Sequence, residues 1–368
     1  MRSNLKECPM KVAVVISYYS PDYIRGKSMI AALELLPEVQ LHVVRNRSRG
    51  LLRYLESFIG LLKLRIEQDP DIYVLPFRGH EIFPLVWLLS RGRRIIFDEM
   101  LSPYDSLVNE VKQGILGRLI AVVLRFFERI ILQRSDVVLT DTNIHAEYIS
   151  NLLDIPRSKL VALPVSNVPI IGKSWQGVDL KKDYLDVFFY GTFQKLHGVD
   201  VILDAAELCN GLPIKFTIVG GKGRKSDPIL QRIQGYKCDN LEHFLWMEYE
   251  ELLDRACRAD ICLGGPFHGR GQATRVITGK TYQFMSLGIP MVIGRIQEDT
   301  GFVDKENCLL VEQGSAEELV DSITWAYENK TELDRIGLGG KQLFNRRYCI
   351  PRLAKTIKEL IFKYQNNV

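Results

Sequence analysis

At 368 residues, with 46% hydrophobic and 25% charged content, the chain has an ordinary globular composition and enough length for two domains. Its formal charge of +4 is too small for a nucleic-acid partner, and the excess lies early: residues 1–170 carry 22 Lys/Arg against 18 Asp/Glu, the rest 26 against 26. Seven scattered cysteines without a C-x2-C pair fit free core thiols in a reducing cytoplasm.

No run reaches ~18 apolar residues, so no spanning helix is expected. The first residues lack the apolar core and small-residue cleavage site of a secretory signal. In chain order, short β-branched runs alternate with longer amphipathic segments, the pattern of a parallel α/β sheet. The first series of strands is "KVAVVIS", "LHVVRN", "DIYVLPF", "RIIFDE", "DVVLTDT" and "LVALPV". Around residues 169–182 the pattern lapses into Pro, Gly and no periodicity, which predicts a linker. A second series follows: "DVFFYG", "KFTIVGG", "LEHFLW", "DICLGG", "PMVIG" and "CLLVE". Helices are predicted near 198–209, 249–259, 316–327 and 352–364. The expected architecture is two Rossmann-like doubly wound domains, 1–168 and 183–347, facing each other across a cleft, with 348–368 as a final helix.

In such sheets ligands lie beyond the carboxyl ends of strands, which directs attention to the loops after Gly191, Gly220, Trp246 and Gly265. In "FFYGTFQKLHGVD", Gly191 lets a ligand approach the backbone, and Lys195 or His197 is placed to meet an anion; an ordinary strand–helix turn with solvated charges has the same sequence. "FTIVGGKGRKSD" has glycines at 220, 221 and 223, which is not G-x-G-x-x-G and argues against a dehydrogenase. The strongest signal is "GRGQATRVITGKTYQFMSLGIPMVIG". A helix starting near Thr278–Gly279 points free N–H groups and a positive dipole end at the preceding loop, with Arg275 and Lys280 beside it. Gln283 follows one turn inside. This is a diphosphate site followed by an amide for sugar hydroxyls; a solvated basic loop is the plainer alternative.

Asp69-Pro70-Asp71 matches D-x-D, but it precedes a strand, at the wrong end of the sheet for ligands, and reads as a turn. No His/Cys/Asp group has metal-ligand spacing. Two helices stand out for their polar stripes: Arg53, Glu56, Gly60, Lys63 and Glu67 on one, and Arg118, Arg125 and Arg129 on an otherwise apolar second. Packing against the sheet accounts for both; docking on a membrane surface is the sharper reading.

Taken together, "RGKSMIAALE" with Gly26, "IIFDEMLSPYDSLVNE", "SDVVLTDTNIHAEYI", "FYGTF…HGVD", "FTIVGGKG", "EYEELLDRACRADICLG", "RVITGKTYQFMSLGIPMV" and "NCLLVEQGSAEELVDSI" resemble glycosyltransferase family 4, of the GT-B fold. The resemblance implies retaining transfer of a sugar from a nucleotide diphosphate sugar to an acceptor hydroxyl, with the donor on the second domain and a glycan or lipid-linked acceptor on the first. It implies donor contacts at Gly26, Gly191, Thr192, Lys195, His197, Gly220, Trp246, Arg275, Lys280 and Gln283. Cell-surface polysaccharide or glycolipid synthesis at the inner membrane face is the setting it suggests. Many members carry two glutamates where Arg275 and Gln283 stand, an Arg at Thr192 and a Lys at His197. Positive charge from side chains and a helix end needs no divalent metal, and no cofactor is expected. On the acceptor side Asp98, where members often carry a histidine, and His80 are the expected acid–base residues. A nucleotide-sugar-binding pseudoenzyme and a sugar-nucleotide epimerase of the same fold are the alternatives.

Overall fold

The computed structural model describes residues 9–110, 114–223 and 228–363. It divides into two units: the chain through Val168 together with the segment from Ile350, and Pro169–Cys349.

The first unit runs β1 (Met10–Ile16), α1 (Ile24–Glu34), β2 (Val39–Arg45), α2 (Leu52–Glu67), β3 (Ile72–Leu75), α3 (Phe83–Ser90), β4 (Arg94–Asp98), α4 (Pro103–Glu110), α5 (Ile115–Arg134), β5 (Val137–Thr140), α6 (Asn143–Leu153) and β6 (Leu160–Ala162). Its six strands pair in parallel in the order β2-β1-β3-β4-β5-β6. Central β1, β3 and β5 are apolar on both faces because helices cover both, whereas edge β2 alternates half-buried and exposed positions.

The second unit runs β7 (Leu185–Gly191), α7 (Val199–Leu208), β8 (Ile214–Gly220), α8 (Pro228–Gln234), β9 (Leu241–Phe244), α9 (Tyr249–Arg258), β10 (Ile261–Leu263), α10 (Gly279–Leu287), β11 (Met291–Gly294), β12 (Leu309–Val311), α11 (Ala316–Glu328) and α12 (Leu333–Leu343). Its parallel order is β12-β11-β10-β7-β8-β9. Both sheets reverse direction once, between β1 and β3 and between β7 and β10. Those are the switch points at which doubly wound sheets open a crevice.

The last helix, α13 (Ile350–Lys363), completes the first unit. Its Ile350, Leu353, Ala354, Ile357, Leu360 and Ile361 are buried in one cluster with Met10, Val12, Val14, Met29 and Leu33. Each large apolar side chain buried there contributes roughly 1.5–3 kcal/mol relative to exposure.

All twelve strands expected from the sequence form. The segment 169–182 is hydrogen-bonded to the rest of the second unit. Its Trp175 amide donates to Leu287 O at 3.1 Å, its indole Nε1 to Ala259 O at 2.8 Å, and Gln176 N to Cys257 O at 3.1 Å. Its backbone bonds reach scattered partners instead of a ladder, which is why no periodicity announces them.

Candidate functional site

In the second unit β7 and β10 pair in parallel, so their carboxyl ends lie side by side. After β7 the chain makes a 3-10 turn, Lys195–His197, and enters α7 through Gly198 at φ 62°. A Cβ on Gly198 would lie 2.6 Å from the Phe267 carbonyl carbon, so only glycine lets this loop rest on the loop after β10. The same holds at Gly220, whose Cβ would stand 2.0 Å from Gly191 O. The loop after β10 makes a second 3-10 turn, Gly271–Arg275, before α10 begins.

α10 starts beside the end of β10 because Thr278 Oγ1, at its N-cap, donates to Gly264 O at 2.6 Å. The cap hydroxyl accepts from no helix amide, which leaves first-turn N–H groups to face an anion. Lys280 sits in that first turn. It is 6% exposed, its Nζ has no hydrogen-bond partner among the described residues, and it lies 4.5 Å from the centre of the Phe189 ring. Burial pulls its pKa down to about 7. His197 meets the same Phe189 ring edge-on, and its ring stands 2.9 Å from where a Gly191 Cβ would be. Gly191, His197 and Lys280 thus converge around Phe189.

The other expected donor residues are placed differently. Arg275 is buried and its Nη1 donates to Gly271 O at 2.9 Å, closing its own 3-10 turn. Gln283 is held between two hydroxyls: Tyr190 donates to its Oε1, and its Nε2 donates to Tyr249. Each end of the amide expected to meet sugar hydroxyls therefore carries one bond to a tyrosine. Thr192 and Lys195 are exposed, and Lys222 reaches over the exposed Trp246 ring at 4.5 Å. Gly26 lies in the first unit, in α1, where an added Cβ would be 3.3 Å from Ile16 and 4.0 Å from Pro76, at the β1/β3 switch point.

The two side chains expected to do acid–base chemistry in the first unit both stand in close polar contact. Asp98 accepts from Arg25 Nε at 3.0 Å, from Arg25 Nη2 at 2.8 Å and from Phe77 N at 3.1 Å, with neither charged side chain exposed. A carboxylate so engaged holds Arg25, which also donates to Leu163 O and Pro164 O. His80, in the 3-10 turn Gly79–Glu81, has Nε2 2.9 Å from Glu99 Oε2, and burial lowers its pKa to about 4. Glu99 follows β4, and Glu128 comes from α5; burial first, and the facing Glu99 charge second, push Glu128 up to about 8, and burial raises Glu99 well above the usual carboxyl value. Arg25, Glu99 and Glu128 were not among the site residues expected from the sequence. A single acid inside the apolar run "VVLRFFERIIL" was the available signal for Glu128.

Asp69 and Asp71 form a turn at the amino end of β3, pairing with Arg93 at 2.6 Å and with Lys11 N at 2.9 Å. On α5 the apolar face points outward. Ile115, Leu116, Leu119, Val122, Phe126 and Phe127 are exposed, Ile115 by 84%. Leu51, Leu52, Leu55, Ile59 and Ile66 are likewise exposed on and beside α2. Packing against the sheet, the plainer reading of both helices, accounts only for Ser57, Leu61 and Leu64 and for Ala121, Glu128, Ile131 and Leu132. Arg129 pairs with Asp154 at 2.5 Å and Arg125 donates to Leu152 O, so two of the three arginines of the stripe are tied locally. No helix among the described residues is long and apolar enough to cross a membrane.

Residues 185–329 match the family described as glycosyl transferases group 1. No curated protein sequence matches the chain. Solved structures similar to it include sucrose-phosphate synthase from Thermosynechococcus elongatus, with a TM-score of 0.72 at 13% identity over 98% of this chain and 100% of that one. Anabaena HepE, solved in complex with UDP-glucose, follows at 0.67 and 10% over 96% and 100%. The lipopolysaccharide outer core galactosyltransferase WaaB gives 0.61 at 14% over 96% and 100%. The chain has the fold of the GT-B glycosyltransferases, and its second unit matches glycosyl transferases group 1.

Proposed function

We propose that the protein is a retaining glycosyltransferase that moves a sugar from a nucleoside diphosphate sugar to an acceptor hydroxyl on a glycan or lipid carrier. One observation carries the reading: Lys280, a buried amine with no hydrogen-bond partner among the described residues, stands in the first turn of α10 at the β7/β10 switch point. A buried amine is costly unless a ligand supplies its counter-charge. The leaving group of this reaction is a nucleoside diphosphate, so negative charge develops on its β-phosphate. An ammonium and a helix N-terminus aimed there stabilise the transition state more than the ground state. His197 adds a hydrogen-bond partner beside Gly191, where the backbone is bare enough for close approach. The match over residues 185–329, and the UDP-glucose bound by a protein of the same fold, support this placement of the donor.

The first unit then lies on an anionic membrane surface through α5 and α2, whose outward apolar residues would enter the headgroup region while Arg118 meets lipid phosphates. Such a surface belongs to a polysaccharide or glycolipid assembly reaction with a lipid-borne acceptor. A thermal-shift panel of UDP, GDP, ADP and dTDP, each against its nucleoside, tests the donor assignment. One diphosphate should raise the melting temperature where its nucleoside does not. No response to any diphosphate would remove the donor site.

A further inference from the structure

In the first unit, the 3-10 turn after β3, the end of β4 and the buried face of α5 each place one metal-binding side chain at a common point. These are His80, Glu99 and Glu128. One ring nitrogen and two carboxylate oxygens all lie within 4.8 Å of one another. The residues are far apart in the chain, at positions 80, 99 and 128, which hid the group from any spacing argument. We propose that His80, Glu99 and Glu128 bind one divalent transition-metal ion of the zinc class.

The geometry argues for it first. His80 Nε2 and Glu99 Oε2 stand 2.9 Å apart, near the spacing of about 3.3 Å that two ligands on one tetrahedral ion adopt with bonds of about 2.0–2.1 Å. Outer contacts already orient two of the three ligands. Tyr104 N donates to Glu128 Oε2 at 3.0 Å, and the His80 ring sits edge-on to Phe97 at 4.9 Å.

A second, independent observation concerns unmet valence. Glu99 Oε1 and Glu128 Oε1 are buried, and no donor among the described residues reaches either of them. Both residues are at most 2% exposed. Nearby Asp98 is fully matched by Arg25, but no lysine or arginine pairs with Glu99 or Glu128 among the described residues. Two buried carboxylates without a cation must either take up protons or hold a metal. A divalent ion neutralises both and takes the imidazole in its neutral form, which is the form a metal needs. A mixed nitrogen and carboxylate set suits zinc, cobalt or manganese better than calcium or magnesium, which prefer all-oxygen sites, and better than copper(I), which prefers sulfur.

Access exists as well. A cavity of about 430 Å³, walled by Phe83, Trp87, Phe127 and Ile131, has His80 and Glu128 in its lining. A bound ion would pin α5, the helix with the outward apolar face, to the ends of β3 and β4. The described thiols lie in the second unit, at Cys209, Cys238, Cys257, Cys262, Cys308 and Cys349, so thiol and carboxylate binding are separable.

The test uses the full chain, stripped with chelator and dialysed, then titrated with Co²⁺ and followed by visible absorption, with Zn²⁺-dependent melting measured in parallel. The expected result is about one equivalent of Co²⁺ without a thiolate charge-transfer band, and a melting temperature raised by Zn²⁺. Glu99→Gln and Glu128→Gln should each weaken Co²⁺ binding by about a hundredfold, while their metal-free forms melt no lower than the metal-free parent. Glu99→Asp, which keeps the charge, serves if a glutamine variant does not fold, and should weaken binding through its shorter reach. A parent protein that gives neither the cobalt band nor a zinc shift would overturn the proposal in favour of a proton held between the carboxyls. Cobalt binding that is unchanged in the variants would place the metal elsewhere and overturn it too.

Discussion

Arg25 and Asp98 form a two-pronged ion pair inside the first unit, at 3.0 and 2.8 Å, with neither side chain exposed. Arg25 also donates to Leu163 O at 2.5 Å and to Pro164 O at 3.0 Å, so the pair ties α1 and β4 to the chain after β6. Asp98→Asn keeps the shape but leaves a buried guanidinium without its counter-charge. Breaking such a pair costs about 3–5 kcal/mol. Denaturant unfolding of the variant should show a loss of that order; a midpoint equal to the parent's would return Asp98 to the list of proton acceptors.

A diphosphate seated on Lys280 would make donor binding depend on pH. Burial sets its pKa at about 7, below the ordinary 10.5, so the free site loses its charge as pH rises. A bound diphosphate favours the ammonium, and binding should take up a proton. Diphosphate affinity is expected to fall from pH 7 to 9, above the range in which phosphate itself titrates, while nucleoside affinity stays level. The stability sign is the opposite. Between about 7 and 10.5 the unfolded chain holds the Lys280 proton and the folded chain does not, so this residue's contribution to stability rises with pH across that window. Isothermal titration at three pH values decides the first point, and equal affinities would count against Lys280 as the phosphate contact.

Donor binding in the second unit should not need a metal. The cation there is a side chain and the dipole a helix end. Nucleoside diphosphate affinity measured in excess EDTA should match that in Mg²⁺ within about twofold, a difference well under 1 kcal/mol. A tenfold gain with Mg²⁺ would mean that the positive charge comes from elsewhere.

The outward face of α5 predicts a surface activity. Leu119→Asp with Phe126→Asp changes two side chains that are 61% and 60% exposed, so melting should shift little. Sedimentation with anionic vesicles should drop by about tenfold or more and be weakened by salt in the parent. Equal binding of parent and variant, or no preference for anionic over neutral lipid, would leave that face without its membrane.

The strands were legible because both sheets are parallel and covered on both faces, which writes them as apolar runs such as "KVAVVIS" and "DVFFYG". The start of α10 was legible too, since Thr278 and the small residues before it announce a helix entrance. What local pattern does not carry is partnership across the fold. Gln283 reads as a free amide until Tyr190 and Tyr249, 93 and 34 positions away, are seen to hold it. Asp98 reads as a lone acid at a strand end until Arg25, 73 positions away, is seen to pair with it. Glu128 is one acid in an apolar helix until β3 and β4 bring His80 and Glu99 beside it. The direction of the α5 apolar face was likewise open, because its periodicity says that one side differs from the other and not which side meets the sheet.

The most direct measurement compares parent and Lys280→Met for binding of a nucleoside diphosphate and of its nucleoside. Methionine keeps the length and apolar stem but removes the amine, so folding should be intact and the melting temperature no lower, since an unpaired buried amine is gone. The site described here requires diphosphate affinity to fall by tenfold to a hundredfold, the roughly 1.5–3 kcal/mol of a charge-assisted contact, with nucleoside affinity nearly unchanged. Equal losses for the two ligands, or no loss for either, would contradict a diphosphate seated on Lys280 and the start of α10.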